Sequence, residues 1–298
     1  MDTMPLTVDS LTAVKSQVEA HGLTLSVVEG GPPMDKIVTG SEGREEQLEQ
    51  YKQCIRIMGQ VGVPVLCYNF MNWACRVGRT SYEAPARGNA LTSTFDMSQW
   101  DDTPVAAELQ CEPARLWENY TWFIKRIIPV CEEANVYLAL HPDDPPVPRL
   151  RGVARIFNTL DAFDRMVEIE PSVRNGITYD LSLFALMGAD APREIVKRRR
   201  YIHFVHFRDV VGERTRYTET FHDEGMTDKV AAMRALQEIG FQGPMRPDHV
   251  PLMAGEEGHA TGDKAKGYFS GKASGYTMQG RLYACGVLRG LIMATKGN

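Results

Sequence analysis

With 298 residues, 43% hydrophobic and 24% charged, the chain fits one large α/β domain or two small ones with a real core. A net charge of −5 and a single basic cluster, KRRR at 197–200, argue against a nucleic-acid surface; that cluster falls at a predicted helix end, where cations complement the dipole. No segment approaches the ~20 apolar residues of a membrane span.

Asp9 and Ser10 are placed to cap a first helix over 11–20, which His21 and Gly22 end. The opening residues carry Asp2 and Asp9 and no apolar run, unlike a secretory leader. A strand is predicted over 23–29 (LTLSVVE), then a helix over 42–61 with Leu48, Tyr51, Ile55 and Met58 at helical spacing. The next strand is 64–69 (PVLCYN). Residues 71–113 show no strong period; an irregular stretch of that length covers a site or forms an oligomer arm. A helix over 116–134 leads to strand 136–141 (VYLALH), and a helix over 159–168 leads to strand 176–181 (GITYDL). A helix over 191–200 leads to strand 201–209 (YIHFVHFRD). A loop containing FHDEG at 221–225 precedes a helix over 228–239, a short strand 244–248 (PMRPD), a glycine-rich loop over about 253–274, and a last helix from 276.

Strands and helices alternate with no antiparallel hairpin signal. This predicts a parallel sheet in a single domain over 1–298, in the α/β class and of the TIM-type (β/α) barrel kind. No GxGxxG follows the first strand, which argues against dinucleotide binding. Cys54, Cys67, Cys75, Cys111, Cys131 and Cys285 show no CxxC spacing, and several sit in apolar patterns as reduced thiols do, so a cytoplasmic protein is expected.

The chemistry lies at the strand ends. His203 and His206 are three apart, on opposite faces of a regular strand, so they cannot both point at one site. His206 is nearer the C-terminal end, where a β/α barrel keeps its reactive groups. His141 ends one predicted strand, Asp180 the next, His206 the next, and Asp248 with His249 the last. Parallel strands present these ends on one face. One strand-end histidine alone reads equally well as a core residue; two imidazoles and two carboxylates on consecutive strands suit a divalent cation such as Mn²⁺, Fe²⁺, Co²⁺ or Zn²⁺. Nearby, Arg246 is a candidate clamp for a carboxylate, and Arg208 shares the face of His206, with a rim ion pair as the alternative for both. His222 is a candidate general acid or base, against a solvated loop histidine. Asp143 is a candidate partner or ligand beside His141, against a turn residue next to proline.

HPDDPP at 141–146, IHFVHFRD at 202–209, FHDEG at 221–225, MRPDH at 245–249 and GYTMQGRLYA at 275–284 resemble the mannonate dehydratase family, as does YKQCIRIMGQVGVPVLCYNFM at 51–71. The resemblance runs from about Leu23 to the C-terminus. It implies a β/α barrel, a divalent metal (commonly Mn²⁺), and removal of water from the sugar acid D-mannonate to give 2-keto-3-deoxy-D-gluconate. By position it implies that His141, His206 and Asp248 are metal ligands and that Arg246, His249 and Tyr276 belong to the active site. The family's fourth ligand is a cysteine where this chain has Asp180, a harder donor that favours Mn²⁺ or Mg²⁺ over Zn²⁺ and leaves Fe²⁺ and Co²⁺ open. The family begins with two further βα units, whereas six strands are clear here. The barrel is then incomplete or covered by a partner chain, and an open edge of this kind predicts a homo-oligomer. In the implied reaction, Tyr276 or His222 takes the C2 proton, His249 or a metal-bound water protonates the departing C3 hydroxyl, and Arg246 steadies the carboxylate. Two alternatives stand beside it: a metal-dependent sugar isomerase or epimerase on a related barrel, and a non-catalytic paralogue that binds a sugar acid.

Overall fold

Apolar residues on alternate positions of six short strands give the sheet one face for helices and one for an interior. The computed structural model describes residues 7–72, 78–256 and 275–296. In chain order the first half holds α1 (Val8–Glu19), β1 (Val27–Glu29), α2 (Asp35–Thr39), α3 (Arg44–Val61), β2 (Val65–Tyr68), β3 (Ser81–Pro85), β4 (Leu91–Asp96), α4 (Pro113–Ala134) and β5 (Tyr137–Leu140). The second half holds β6 (Arg149–Leu150), β7 (Val153–Ala154), α5 (Leu160–Ile169), β8 (Asn175–Asp180), α6 (Leu181–Leu186), α7 (Ala191–Lys197), β9 (Ile202–His206), β10 (Val210–Glu213), β11 (Arg216–Glu219), α8 (Lys229–Glu238), β12 (Met245–Arg246) and α9 (Met278–Thr295).

The main sheet runs β1-β2-β5-β8-β9-β12, every neighbouring pair parallel. Leu66, Leu138, Ile177, Tyr179 and Val205 face outward and join one large core with the helices. Helix α4 supplies Leu116, Tyr120, Phe123, Ile127 and Cys131 to that core, at steps of three and four. Val65, Cys67, Ala139 and Phe204 face inward as a smaller cluster. In a flat sheet the outer strands β1 and β12 would lie about 24 Å apart at normal strand spacing. Instead Glu29 at the end of β1 forms an ion pair with Arg246 on β12. The sheet is therefore curled, as expected: among the described residues, an incomplete β/α barrel of six strands, its edges approaching side chain to side chain.

Two expectations are corrected. Residues 71–113 are not irregular throughout, since β3 and β4 pair antiparallel there. Nor are hairpins lacking, because β10 and β11 pair antiparallel and join β4, giving a second sheet β10-β11-β4-β3. These strands escape a hydrophobicity pattern for a physical reason. In β4, Ser93 is buried on the face of Phe95 and Thr92 is buried on the other, so polar residues are enclosed on both faces beside apolar ones. Phe95, Val210 and Tyr217 make the small core of this cap with Leu150, Leu183 and Leu186. Of the predicted loop over 253–274, residues 257–274 lie outside the described residues.

His203 and His206 serve different places, though not because the strand is regular. The register shifts so that Ile177 faces Ile202 while Thr178 faces Phe204, which leaves His203 as the extra residue of a bulge. Its ring packs on Tyr137 at 4.3 Å and its Nε2 bonds the Val173 carbonyl at 2.6 Å. Gly176 makes room for it: a Cβ there would come within 2.0 Å of the His203 ring and 2.6 Å of the Tyr201 carbonyl. Gly176→Ala is expected to destabilise the protein by about 1–3 kcal/mol, the usual cost of overpacking. A urea midpoint unchanged from wild type would contradict this placement of His203.

Candidate active site

His141 follows β5 directly, and its tautomer is set by its own neighbour. Nδ1 lies 2.8 Å from the Pro142 carbonyl, which can only accept, so Nδ1 carries the hydrogen and Nε2 presents its lone pair to the centre. That Nε2 is 3.1 Å from His206 Nδ1. Asp180 ends β8 and caps α6. Its Oδ1 accepts from Ser182 Oγ at 2.7 Å and Leu183 N at 2.9 Å, while Oδ2 faces His141 Nε2 at 3.6 Å and His206 Nδ1 at 3.7 Å. Asp248 Oδ2 lies 3.4 Å from His206 Nδ1. The four predicted strand-end residues thus converge, and all are buried.

Behind them lies a buried charge network. Arg208, fully enclosed, donates from Nε to Asp180 Oδ2 at 2.8 Å, from one terminal nitrogen to Glu219 at 2.8 Å, and from the other to Asp144 at 3.0 Å. Arg79, contributed by the segment before β3, binds Asp144 through both terminal nitrogens at 2.9 Å and Glu219 at 2.7 Å. Tyr217 donates to Asp144 at 2.9 Å. Arg246 pairs with Glu29 and lies 3.0 Å from Asp248 Oδ1, so its guanidinium is engaged by two carboxylates rather than held open for a substrate.

His249 turns away from the strand with φ at 45°, in the left-handed region. Its Nδ1 lies 2.7 Å from Glu219 Oε1 and 3.1 Å from Arg208 Nη1, and its Nε2 lies 3.0 Å from the Tyr276 hydroxyl; when Nδ1 donates to the nearer carboxylate, Nε2 accepts from the tyrosine. The result is a chain from tyrosine to imidazole to carboxylate. His222 is more enclosed than a loop position suggests. It is fully buried, neither ring nitrogen has a hydrogen-bond partner among the described residues, and burial lowers its pKa to about 4, so it is neutral near pH 7. Asp143 faces away too: it accepts from Phe157 N at 2.7 Å, while the adjacent Asp144 is the one turned into the network.

The electrostatics call for a positive charge at the centre. Burial opposes ionisation of Asp180, but Arg208 and the two imidazoles hold it well below the usual carboxylate range. Burial likewise opposes Glu219, yet His249 and Arg79 hold it down to about 2. Burial would lower His206, but Asp248 and Asp180 push it up to about 10. Glu29, Asp144, Asp180, Glu219 and Asp248 make five carboxylates, and Arg79, Arg208 and Arg246 make three guanidiniums. With His206 protonated as well, one negative charge is left over. The donor atoms of His141, Asp180 and His206 all lie within 4.8 Å of one another. Separations of 3.1–3.7 Å are those of neighbouring ligands around one ion with bonds of about 2.0–2.2 Å.

Glu219, Asp144, Arg79 and Glu29 were not legible as site residues. Glu219 and Arg79 belong to or border the cap, whose strands carried no pattern, and Glu29 ends a strand without a neighbouring motif. Only Asp144 stood inside a recognised motif.

A parallel sheet whose consecutive strand ends gather imidazoles and carboxylates at one point defines a β/α-barrel enzyme working at its C-terminal face. The D-mannonate dehydratase (UxuA) family model matches residues 5–110 and 103–298. The mannonate dehydratase of Oceanobacillus iheyensis is 32% identical, over 85% of this chain and 80% of that one. That of Streptococcus uberis is 32% identical, over 88% and 85%. The crystal structure of mannonate dehydratase from Streptococcus suis serotype 2 superposes with a TM-score of 0.85 at 30% identity, covering 98% of this chain and 82% of that one. A D-tagatose 3-epimerase-like protein, at 14% identity and a TM-score of 0.56, shares the fold. The chain belongs to the D-mannonate dehydratase family, whose members are hydro-lyases.

Arg208→Met is expected to cost about 3–5 kcal/mol, since it removes the guanidinium on buried Asp180 and one of the two on Asp144 and Glu219. Urea unfolding measures this, and a loss below 1 kcal/mol would show that the network is not charged as described.

Proposed function

We propose that this chain is a divalent-metal-dependent dehydratase that converts D-mannonate, or a closely related aldonate, to its 2-keto-3-deoxy acid. The observation that carries the metal is the gathering of His141, Asp180 and His206 donor atoms within 4.8 Å of one another, with Asp248 Oδ2 3.4 Å from His206 and carboxylates outnumbering cations around them. His141 Nε2, Asp180 Oδ2, His206 Nδ1 and Asp248 Oδ2 would hold the ion. Their mixture of imidazole and carboxylate favours Mn²⁺ or Mg²⁺. When bound, such an ion would act as a Lewis acid and make the proton beside the sugar acid's carboxylate more acidic.

The residues of the chain handle the protons. Tyr276 takes the C2 proton as its own hydroxyl hydrogen passes to His249 Nε2, and Glu219 steadies the imidazolium that results. His249 then returns a proton to the C3 hydroxyl as it leaves as water. His222 is left out of this relay, because burial makes it a weak base and no hydrogen bond links it to Tyr276 or His249 among the described residues. Arg246 orients Asp248 rather than gripping substrate. We also infer a homo-oligomer in the cytoplasm: Met278, Leu282 and Met293 of α9 are 64–73% exposed, and Cys54, Cys67, Cys111 and Cys131 are free buried thiols. No helix among the described residues is long and apolar enough to cross a membrane.

Incubation with D-mannonate and Mn²⁺ should yield a 2-keto-3-deoxy acid, and chelation should abolish it. Formation instead of an epimer or ketose from a panel of sugars would favour the isomerase reading, and metal-dependent stabilisation without product a binding protein. Tyr276→Phe should lower kcat on the order of 10²-fold or more, the usual scale of general acid–base catalysis, with Mn²⁺ affinity unchanged. Because His206 is held protonated up to about pH 10, a cation must displace that proton. Mn²⁺ affinity should therefore rise with pH, by up to about tenfold per unit between pH 6 and 8. Calorimetric titration reads this slope, and a flat profile would mean that His206 is already neutral.

A further inference from the structure

His206 is fully buried, and its two ring nitrogens have unequal surroundings. Nδ1 faces His141, Asp180 and Asp248. Nε2 has no hydrogen-bond partner among the described residues. The group it faces is Glu29 Oε2, 3.5 Å away, just beyond bonding distance. Glu29 ends β1, one edge of the sheet, and its carboxylate is paired with Arg246 from β12, the other edge. Arg246 in turn reaches Asp248 Oδ1 at 3.0 Å. Glu29 thus closes a ring of contacts through Arg246, Asp248 and His206.

We propose that Glu29 is a positioning residue for the cation site, accepting the Nε2 hydrogen of His206 so that Nδ1 is left free to bind the ion. This rests on the metal reading given above. A histidine that coordinates through one ring nitrogen needs an acceptor for the hydrogen on the other, and the acceptor fixes both the tautomer and the ring's orientation. The Pro142 carbonyl fills that place for His141. Glu29 is the carboxylate poised to fill it for His206, by a movement of a few tenths of an ångström. The same carboxylate holds Arg246 and through it Asp248, so one residue of the first strand steadies two donors from the last two strands.

Two variants test this, Glu29→Leu and Glu29→Gln, each compared with wild type in whole protein. Glu29→Leu removes the acceptor and should weaken Mn²⁺ binding about 10–100-fold by titration, the usual effect of losing such a partner. Wild-type affinity in a Glu29→Leu protein with a normal thermal midpoint would overturn the proposal. Where Glu29→Leu fails to fold, Glu29→Gln keeps the shape but offers a neutral acceptor. In the Mg²⁺-loaded protein, nitrogen-15 NMR should show the His206 Nε2–H signal shifted upfield from wild type. An unmoved signal would overturn the proposal as well. Wild-type protein that takes up no divalent cation would sink the metal reading and this with it, whereas normal wild-type uptake with indifferent variants sinks this alone.

Discussion

A single guanidinium, that of Arg208, holds the polar centre of the molecule together. It is enclosed, and its three nitrogens bind Asp180, Glu219 and Asp144, from three different parts of the chain. Carboxylates brought so close out of water would repel one another strongly, and each would shed its charge by taking up a proton. The cation between them keeps them ionised and sets their directions. Arg79 repeats the device from the cap side, so sheet and cap are joined by charge as well as by the Phe95 and Tyr217 core. A network of this kind adds little net stability, since desolvation consumes most of the attraction. What it provides is geometry, a set of acidic oxygens fixed in place before any ligand arrives.

Asp180 shows how one side chain meets two demands. One oxygen caps α6 through Ser182 and Leu183, and the other is aimed at the two imidazoles. A cysteine, which the resemblance places at this position in the family, has a single sulfur and could not cap and ligate at once. A carboxylate at this position is therefore held more rigidly than a thiolate would be. Its oxygen is also tied to Arg208, which withdraws some of its charge from anything bound at the centre.

Much of the site was readable from the chain because β/α alternation forces the strand ends onto one face. His141, Asp180, His206 and Asp248 stand at those ends, one unit apart, and the structure brings them together. His249 and Tyr276 were reachable only through family motifs, since nothing in their spacing announces that they touch. His222 misled because a loop position says nothing about burial. The cap was missed because its strands bury threonine and serine beside phenylalanine, so neither period nor polarity marks an inward face.

By itself, the sequence determined the class of fold, the strands of the parallel sheet and the four side chains that converge at their ends, since each depends on local periodicity and on a connection rule that acts along the chain. Tertiary structure alone decided which charges oppose which. Whether Arg246 meets a substrate or Glu29 depends on how far the sheet curls, and whether Glu219 reaches His249 depends on where the cap folds back. Both are settled by contacts between residues 30–217 positions apart, and separation along a chain carries no record of distance in space.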